Sequence, residues 1–197
     1  MINIEEQRIA LSKICEEMLL LCQKQFENAF ETFITFDTDL AEDIILKETR
    51  INALDLKIER DTDQFIALYN PVATDLRFAL AVLKINYNLE RIGDQSFDIA
   101  NHTIDLNQKL TSQVIDSLQF KEMFETLDSM FKDVVTAYLD ENIKSARKVF
   151  KKDKIINKIN SNAFEIVADD ILKNPELIRQ YLMALVVMKK FEKIGDL

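Results

Sequence analysis

Glycine, proline, tryptophan and cysteine are scarce in this chain, which has two, two, none and two of them in 197 residues. β-Strands and hairpins need turn residues at short intervals, whereas long helices need few of them. Hydrophobic residues make up 48% of the chain, enough for a sizeable core in a domain of this length. The composition therefore predicts an all-α protein.

Positive charge is also in the minority, because 25 Lys and Arg stand against 34 Asp and Glu, for a formal net charge of −9. Nucleic-acid phosphates require a basic footprint, so we expect no nucleic-acid partner. The longest apolar run, Tyr181–Met188, is far too short to span a bilayer. The polar stretch Met1–Arg8 does not resemble a secretory signal. We therefore expect a cytoplasmic protein without direct membrane insertion.

The two cysteines, Cys15 and Cys22, lie on one face of a helical pattern. Seven residues of helix place them about 10 Å apart along the axis, which is too far for a disulfide. We expect both to be small core residues in a reducing compartment.

Apolar residues recur at spacings of three and four, which predicts six long helices packed as bundles. The predicted helices cover residues 4–36, 40–69, 71–106, 113–139, 141–172 and 175–197. Polar side chains that accept hydrogen bonds from the first backbone N–H groups favour helix starts. Thr38 or Asp39 is expected to cap the second helix, Asn70 the third and Asp140 the fifth. Pro71 suits the first helical position.

The apolar positions of these helices define their expected inward faces. The first helix has one continuous stripe, formed by Leu11, Cys15, Met18, Cys22, Phe26, Ala29 and Phe33. The apolar positions of the second helix are Ile44, Ile51, Leu54, Ile58, Phe65 and Leu68, and those of the third begin with Leu76, Leu80, Leu83 and Tyr87.

An internal duplication relates the two halves of the chain. Leu89-Glu90-Arg91-Ile92-Gly93-Asp94 returns as Phe191-Glu192-Lys193-Ile194-Gly195-Asp196, and the Asn-Pro pair at 70–71 returns at 174–175. This rhythm predicts a tandem repeat of three-helix bundles, residues 1–107 and 108–197. The first repeat continues beyond its Gly-Asp pair, whereas the second stops at once, so we expect the natural chain to be longer.

Both glycines fall inside predicted helices, where glycine costs about 1 kcal/mol relative to alanine. Two such glycines in the same sequence context indicate that a neighbouring helix or an ion comes close to the backbone there. Glu90 and Asp94, and likewise Glu192 and Asp196, are four residues apart and therefore share a helix face.

A second line of oxygen-bearing side chains follows the second helix through Glu48, Asn52, Asp55 and Glu59. Solvated helix faces usually mix charges of both signs, because opposite charges at this spacing support each other. The line is either a cation site or a tolerated acidic surface. Asp98, one turn beyond Asp94, extends the acidic face of the third helix.

Candidate ligands in these lines are almost all carboxylates, which favours hard cations such as magnesium, calcium, manganese or ferric iron. Zinc is an option, although its usual tetrahedral structural site is absent from the sequence. His102, the only histidine, has drifted around the helix relative to Glu90 and is not counted as a ligand.

The segment Pro71-Val72-Ala73-Thr74-Asp75-Leu76-Arg77, the Glu90–Asp94 helix and its second copy resemble the PhoU family over nearly the whole chain. The resemblance implies a cytoplasmic, dimeric protein of two three-helix bundles that regulates phosphate uptake. The implied partners are the ATPase of the phosphate ABC transporter and a phosphate-sensing histidine kinase, through which such proteins repress the phosphate-starvation response and so act indirectly on transcription. Some members bind multinuclear iron, zinc or other metal clusters through Glu/Asp-x-x-x-Asp motifs.

The resemblance carries the metal-binding motif to particular positions of this sequence. The candidate ligands are Glu48, Asp55, Glu59, Glu90, Asp94, Asp98, Asp153, Glu192 and Asp196. On the fifth helix, Asn157 and Asn160 follow Asp153 where the motif calls for carboxylates. The second half is therefore expected to bind metal more weakly or to hold fewer ions.

Two other functions remain open from the sequence. One is a carboxylate-bridged metalloenzyme on a helical bundle, but the chain lacks the Glu-x-x-His pairs of that chemistry. It also shows no nucleophile–base arrangement and no glycine loop for phosphates, so we expect no enzyme. The other is a metal-free helical adaptor that regulates another transporter.

Overall fold

A computed structural model describes residues 4–197, and seven α-helices and one short 3-10 helix account for most of them. The helices are α1 (Ile4–Thr35), α2 (Thr38–Tyr69), α3 (Ala73–Leu106), α4 (Ser112–Ser117), α5 (Phe120–Leu139), α6 (Ile143–Lys173) and α7 (Ile178–Asp196), with the 3-10 helix at Pro175–Leu177. The prediction of an all-α fold is confirmed. None of these helices is both long enough and apolar enough to cross a membrane, which holds for residues 4–197.

The helices form two three-helix bundles in tandem, as the internal duplication predicted. In the first bundle α1, α2 and α3 all pack against one another, and in the second bundle α5, α6 and α7 do so. The boundary predicted between residues 107 and 108 falls in the connection between α3 and α4.

One hydrophobic core runs through both bundles, because α1 also packs against α5 and α3 against α7. Phe26 of α1 lies at the centre of this contact. Its ring centroid is 5.4 Å from that of Phe124, 5.0 Å from that of Phe131 and 5.9 Å from that of Phe191. The two repeats therefore share their largest aromatic cluster.

All three predicted helix caps differ from the structure, two of them at the starts of α2 and α6. Asp37, not Thr38 or Asp39, caps α2 by accepting a hydrogen bond from the backbone N–H of Leu40 at 2.9 Å. Asp140 instead follows the end of α5. Asn142 caps α6 in its place, since it alone has the extended backbone that aims its side chain at the next N–H groups.

The Asn-Pro break at 70–71 also differs from the prediction. Asn70 ends α2 in the left-handed region (φ 46°) and does not cap α3. Pro71 lies outside any helix, and α3 begins at Ala73 after an extended Val72. Asparagine tolerates the left-handed conformation better than most residues, which suits it to a helix C-terminus.

The predicted fourth helix is interrupted. A short α4 ends at Ser117, and α5 begins only after Gln119, whose φ of 53° is left-handed. No glycine or proline marks this break, so the sequence pattern did not show it.

The inward faces agree with the prediction in α1, where all seven positions of the stripe are buried. They disagree at Leu68 of α2, which is 73% exposed, and at the start of α3. There Leu76, Leu80 and Tyr87 are exposed, and Ala79, Val82, Asn86 and Leu89 are buried instead. The start of α3 has two apolar stripes, and the smaller residues face the core because they permit closer helix packing.

Candidate carboxylate site between α2 and α3

Gly93 lets α3 approach α2 closely, as its place inside a helix indicated. A Cβ atom there would lie 2.8 Å from Cδ1 and 3.0 Å from Cγ2 of Ile51, and 3.5 Å from Oε2 of Glu48. A methyl group would not fit without moving Ile51. The glycine therefore brings the backbone of α3 against the side chain of Glu48.

Glu48 is the buried centre of the site. The residue is 7% exposed, and within the described residues neither of its carboxylate oxygens has a hydrogen-bond partner. The pKa of Glu48 is raised to about 7, by burial first and then by the charges of Asp94 and Glu90, while the nearby amide of Asn52 opposes the rise. A buried carboxylate without donors is costly, and a cation would relieve that cost.

Carboxylates of α3 lie along one side of the helix, near enough for their charges to act on Glu48. Glu90 is half-buried and Asp94 is exposed. The pKa of Glu90 is raised by burial first, then by the charges of Asp94 and Asp55. Asp98, the next turn of the same face, forms an ion pair with Lys190 of α7. The predicted acidic face of α3 thus adjoins α2 at one end and the second bundle at the other.

Asp55 continues the site along α2 and is held by the buried Asn86 of α3. The amide of Asn86 donates to Oδ1 of Asp55 at 2.6 Å and to its backbone oxygen at 3.2 Å. The pKa of Asp55 is raised by burial and by the charge of Glu59, while the bond from Asn86 opposes the rise. Glu59 is exposed at the end of this line.

The second bundle repeats the arrangement in weaker form. Gly195 faces Leu127 and Ile156, and Asp153 precedes Ile156 by three residues as Glu48 precedes Ile51. Oδ1 of Asp153 is buried without a partner, whereas Oδ2 accepts a hydrogen bond from Asn157 at 2.9 Å. Gly195 is less tightly packed than Gly93, since a Cβ atom there would lie 3.1 Å from its nearest neighbour, Cδ2 of Leu127.

The other two candidates of the second bundle, Glu192 and Asp196, are half-buried and exposed, respectively. They lie on α7 on either side of Gly195, as Glu90 and Asp94 do around Gly93. The site of the first bundle thus carries more negative charge than that of the second, because amides replace carboxylates on α6.

As the side chains stand, no three His, Cys, Asp or Glu residues within 4–197 converge closely enough to hold a metal ion. The site is therefore a shared acidic face around Glu48, not a finished set of ligands. The unpaired oxygens of Glu48 and the mutual repulsion of its neighbours nevertheless fit a cation. Ion binding would require Glu90 and Asp94 to turn towards Glu48, which their partial or full exposure allows.

Sequence reasoning missed two residues of the site. Asn86 was hidden because its buried amide lies on α3 outside the acidic motif, although Asn86 and Glu90 share a helix face at four residues' separation. Lys190 was hidden because its contact with Asp98 joins the two bundles across the fold. No local pattern reports such a contact.

Comparison with protein families identifies two copies of the PhoU domain, at residues 15–103 and 120–197. A Thermotoga maritima protein described as phosphate-specific transport system accessory protein PhoU homolog 1 is 27% identical over 196 residues, covering 99% of this chain and 84% of that protein. A Borreliella burgdorferi protein described as a phosphate-specific transport system accessory protein PhoU homolog is 36% identical over 165 residues, covering 81% of this chain and 74% of that protein.

Two crystal structures show the same fold. PhoU from Pseudomonas aeruginosa superimposes with a TM-score of 0.90 at 22% identity, covering 98% of this chain and 92% of that one. The phosphate transport system regulatory protein PhoU from Streptococcus pneumoniae gives a TM-score of 0.84 at 23% identity, covering 98% of this chain and 90% of that one.

Proposed function

Because this chain belongs to the PhoU family, we propose that it is an accessory protein of a phosphate transport system that restrains phosphate uptake when phosphate is plentiful. Two relatives of high coverage are described as accessory proteins of that system. The proposed partners are the transporter's ATPase and a phosphate-sensing histidine kinase, with a homodimer as the active form. The buried, unpaired Cys15 and Cys22 support a reducing, cytoplasmic setting.

The observation that carries the mechanism is the unpaired, buried Glu48 surrounded by carboxylates. Glu48, Glu90 and Asp94 would hold a cation, with Asp55 and Asp98 at the edges of the site. All are oxygen donors, which favours manganese, magnesium, calcium or iron over zinc. A bound ion would supply positive charge that cancels the repulsion and offers a point of attraction for an anion such as phosphate.

The role of the chain's own residues is to transmit occupancy of the site to the surface. Gly93 keeps α3 against Ile51 and Glu48 of α2. A movement of the Glu48 side chain would therefore alter the packing of these two helices. Asp98 and Lys190 join the same face to α7. The proposed role is regulatory and involves no chemical turnover.

The test of this function is made in the host cell. Deleting the gene should raise phosphate uptake in phosphate-rich medium, and the wild-type gene should restore the restraint. The double variant Glu90→Ala, Asp94→Ala should restore it poorly, whereas Glu165→Ala, Asp169→Ala should restore it fully. The latter pair has the same residue types and spacing on the exposed face of α6. Unchanged uptake after deletion would contradict the proposal.

A metal-free adaptor is the second candidate, favoured by the ion pair between Asp98 and Lys190. This pair shows that part of the acidic face is already neutralised within the protein. The adaptor predicts that the Glu90→Ala, Asp94→Ala variant binds no less metal than the wild type while still impairing regulation.

A further inference from the structure

Positive charge in this acidic chain is concentrated in the first half of α6. Seven of the 25 Lys and Arg residues lie within residues 143–158, where Asp153 is the only carboxylate. Two of the seven, Lys148 and Lys152, pair with Asp133 of α5. The other five are exposed and form no ion pair within the described residues 4–197. They are Lys144, Arg147, Lys151, Lys154 and Lys158.

These unpaired cations lie on the side of α6 that points away from the core. The opposite side is marked by the buried Ser145, Ile156 and Ile159. The outward side has three rows of residues, each repeating every seven positions, which is close to two turns of helix. The rows are Ile143 with Phe150, Arg147 with Lys154, and Lys144 with Lys151 and Lys158. These seven residues, the basic face of α6, extend over about 22 Å.

Two large apolar side chains stand among the cations of the basic face. Ile143 is 69% exposed and Phe150 is 73% exposed. Beyond Lys158 the outward side of α6 becomes acidic, with Glu165 and Asp169 exposed. Unpaired positive charge and exposed apolar surface therefore coincide in the first half of the helix.

We propose that the basic face of α6 docks on the surface of a membrane that contains anionic lipids. With α6 lying parallel to the membrane, the cations would meet lipid phosphates while Ile143 and Phe150 enter the headgroup region. Each Lys or Arg near such a surface strengthens binding by about fivefold. Carboxylates elsewhere in the chain oppose this little, because salt screens charges that are more than about 8 Å away.

The composition of the basic face favours lipid over an acidic protein segment. Four of its five cations are lysines. Arginine binds a carboxylate through two hydrogen bonds at once, whereas lysine is a mobile point charge, and protein interfaces are rich in arginine and poor in lysine. Lipid headgroups can rearrange around scattered point charges. Lipids also offer an apolar interior to Ile143 and Phe150, which the phosphates of a nucleic acid do not.

The test mixes the full chain with vesicles made of equal parts of phosphatidylglycerol and phosphatidylcholine and measures bound protein by flotation. A chelator is present and phosphate is absent, so the result is independent of the cation site and of the proposed regulatory role. The wild type should bind these vesicles but not vesicles of phosphatidylcholine alone, and added NaCl should release it.

The charges of the basic face are tested by reversing two of them. Lys151→Glu with Lys154→Glu should weaken binding to the anionic vesicles by at least about tenfold. Lys84→Glu with Lys109→Glu changes the net charge equally, at exposed lysines of α3 and of the connection that follows it. This control pair should bind as the wild type does.

The apolar part of the face is tested by Phe150→Ala, which keeps the net charge and should weaken binding about threefold or more. Leu172→Ala, at a residue of α6 that is 82% exposed and lies outside the basic face, should leave binding unchanged.

Three results would overturn the proposal. One is that the wild type does not bind anionic vesicles or binds both kinds of vesicle equally. Another is that either variant of the basic face, the lysine pair or Phe150→Ala, binds as well as the wild type. The third is binding to polyglutamate without binding to vesicles, which would assign the face to an acidic protein segment.

Discussion

Glu48 is the residue on which the acidic site depends, and its titration should be visible in the stability of the metal-free protein. Its folded-state pKa, about 7, lies above the ordinary value of 4.5. The folded protein therefore binds this proton more tightly than the unfolded chain. The stability gained from that proton is complete below the ordinary pKa and is lost as pH rises through about 7.

Glu48→Gln should remove this loss. At about pH 8.5 the variant is expected to exceed the wild type by about 2 to 3 kcal/mol in free energy of unfolding, and at about pH 5 the difference should nearly vanish. Urea unfolding in the presence of a chelator measures both values. Glu42→Gln, at an exposed position of α2, should show no such pH dependence. Parallel stability curves for wild type and Glu48→Gln would contradict the burial of an unpaired carboxyl.

Gly93 and Gly195 occupy equivalent places but should respond differently to a methyl group. Gly93→Ala is expected to lower the free energy of unfolding by about 1 to 2 kcal/mol, because overpacking against Ile51 outweighs the helix propensity of alanine. At Gly195 the nearest atom is the free end of Leu127, so alanine should change stability by less than about 0.5 kcal/mol or increase it.

The cause of the Gly93 effect can be checked with Ile51→Val, which removes the atom only 2.8 Å from the added methyl. Combined with Gly93→Ala, it should cost less than the sum of the two single changes in denaturant unfolding. Simple additivity would show that the close approach is not what the glycine serves.

Among the helices, the break between α4 and α5 makes the clearest prediction. Gln119 adopts φ 53°, a conformation that glycine takes without strain. Gln119→Gly should therefore raise the free energy of unfolding by about 0.5 to 1 kcal/mol. Gln64→Gly, at an exposed interior position of α2, should lower it by about 1 kcal/mol. A loss of stability in both variants would argue that residues 112–139 form one helix.

Apolar periodicity was sufficient to orient some helices but not others. The stripe from Leu11 to Phe33 has a single apolar face, so periodicity alone fixed its orientation. The start of α3 has two, and packing against α1 and α2 chose Ala79 and Val82 over Leu80. The break between α4 and α5 contains no glycine or proline, so the local sequence gives no indication of it.

The same distinction applies to the site. Carboxylates four residues apart on one helix were predictable, because helical spacing alone puts Glu90 and Asp94 on one face. The burial of Glu48 without a partner was not predictable, because it depends on the close approach of α3 at Gly93. The ion pair of Lys190 with Asp98 was not predictable either. It depends on the packing of one bundle against the other, and the periodicity of a single helix carries no information about that packing.

At the scale of the whole molecule, the aromatic cluster around Phe26 joins the bundles into one cooperative unit. Phe26→Ala should cost about 3 to 5 kcal/mol and lower the unfolding temperature of both halves together. Calorimetry should show a single transition in wild type and variant alike. Phe150→Ala, at a side chain that is 73% exposed, should change little. Two separate transitions would mean that the bundles fold independently.

If the acidic face of α2 and α3 is the cation site proposed above, the protein should take up manganese, iron, zinc, magnesium or calcium, and elemental analysis after titration with each ion measures that uptake. Three forms are compared: wild type, Glu90→Ala with Asp94→Ala, and the exposed control pair Glu165→Ala with Asp169→Ala. We predict bound metal in the wild type and the control pair and its loss in the Glu90, Asp94 variant. Equal metal content in all three, or none in the wild type with any of these ions, would contradict a cation site at this face.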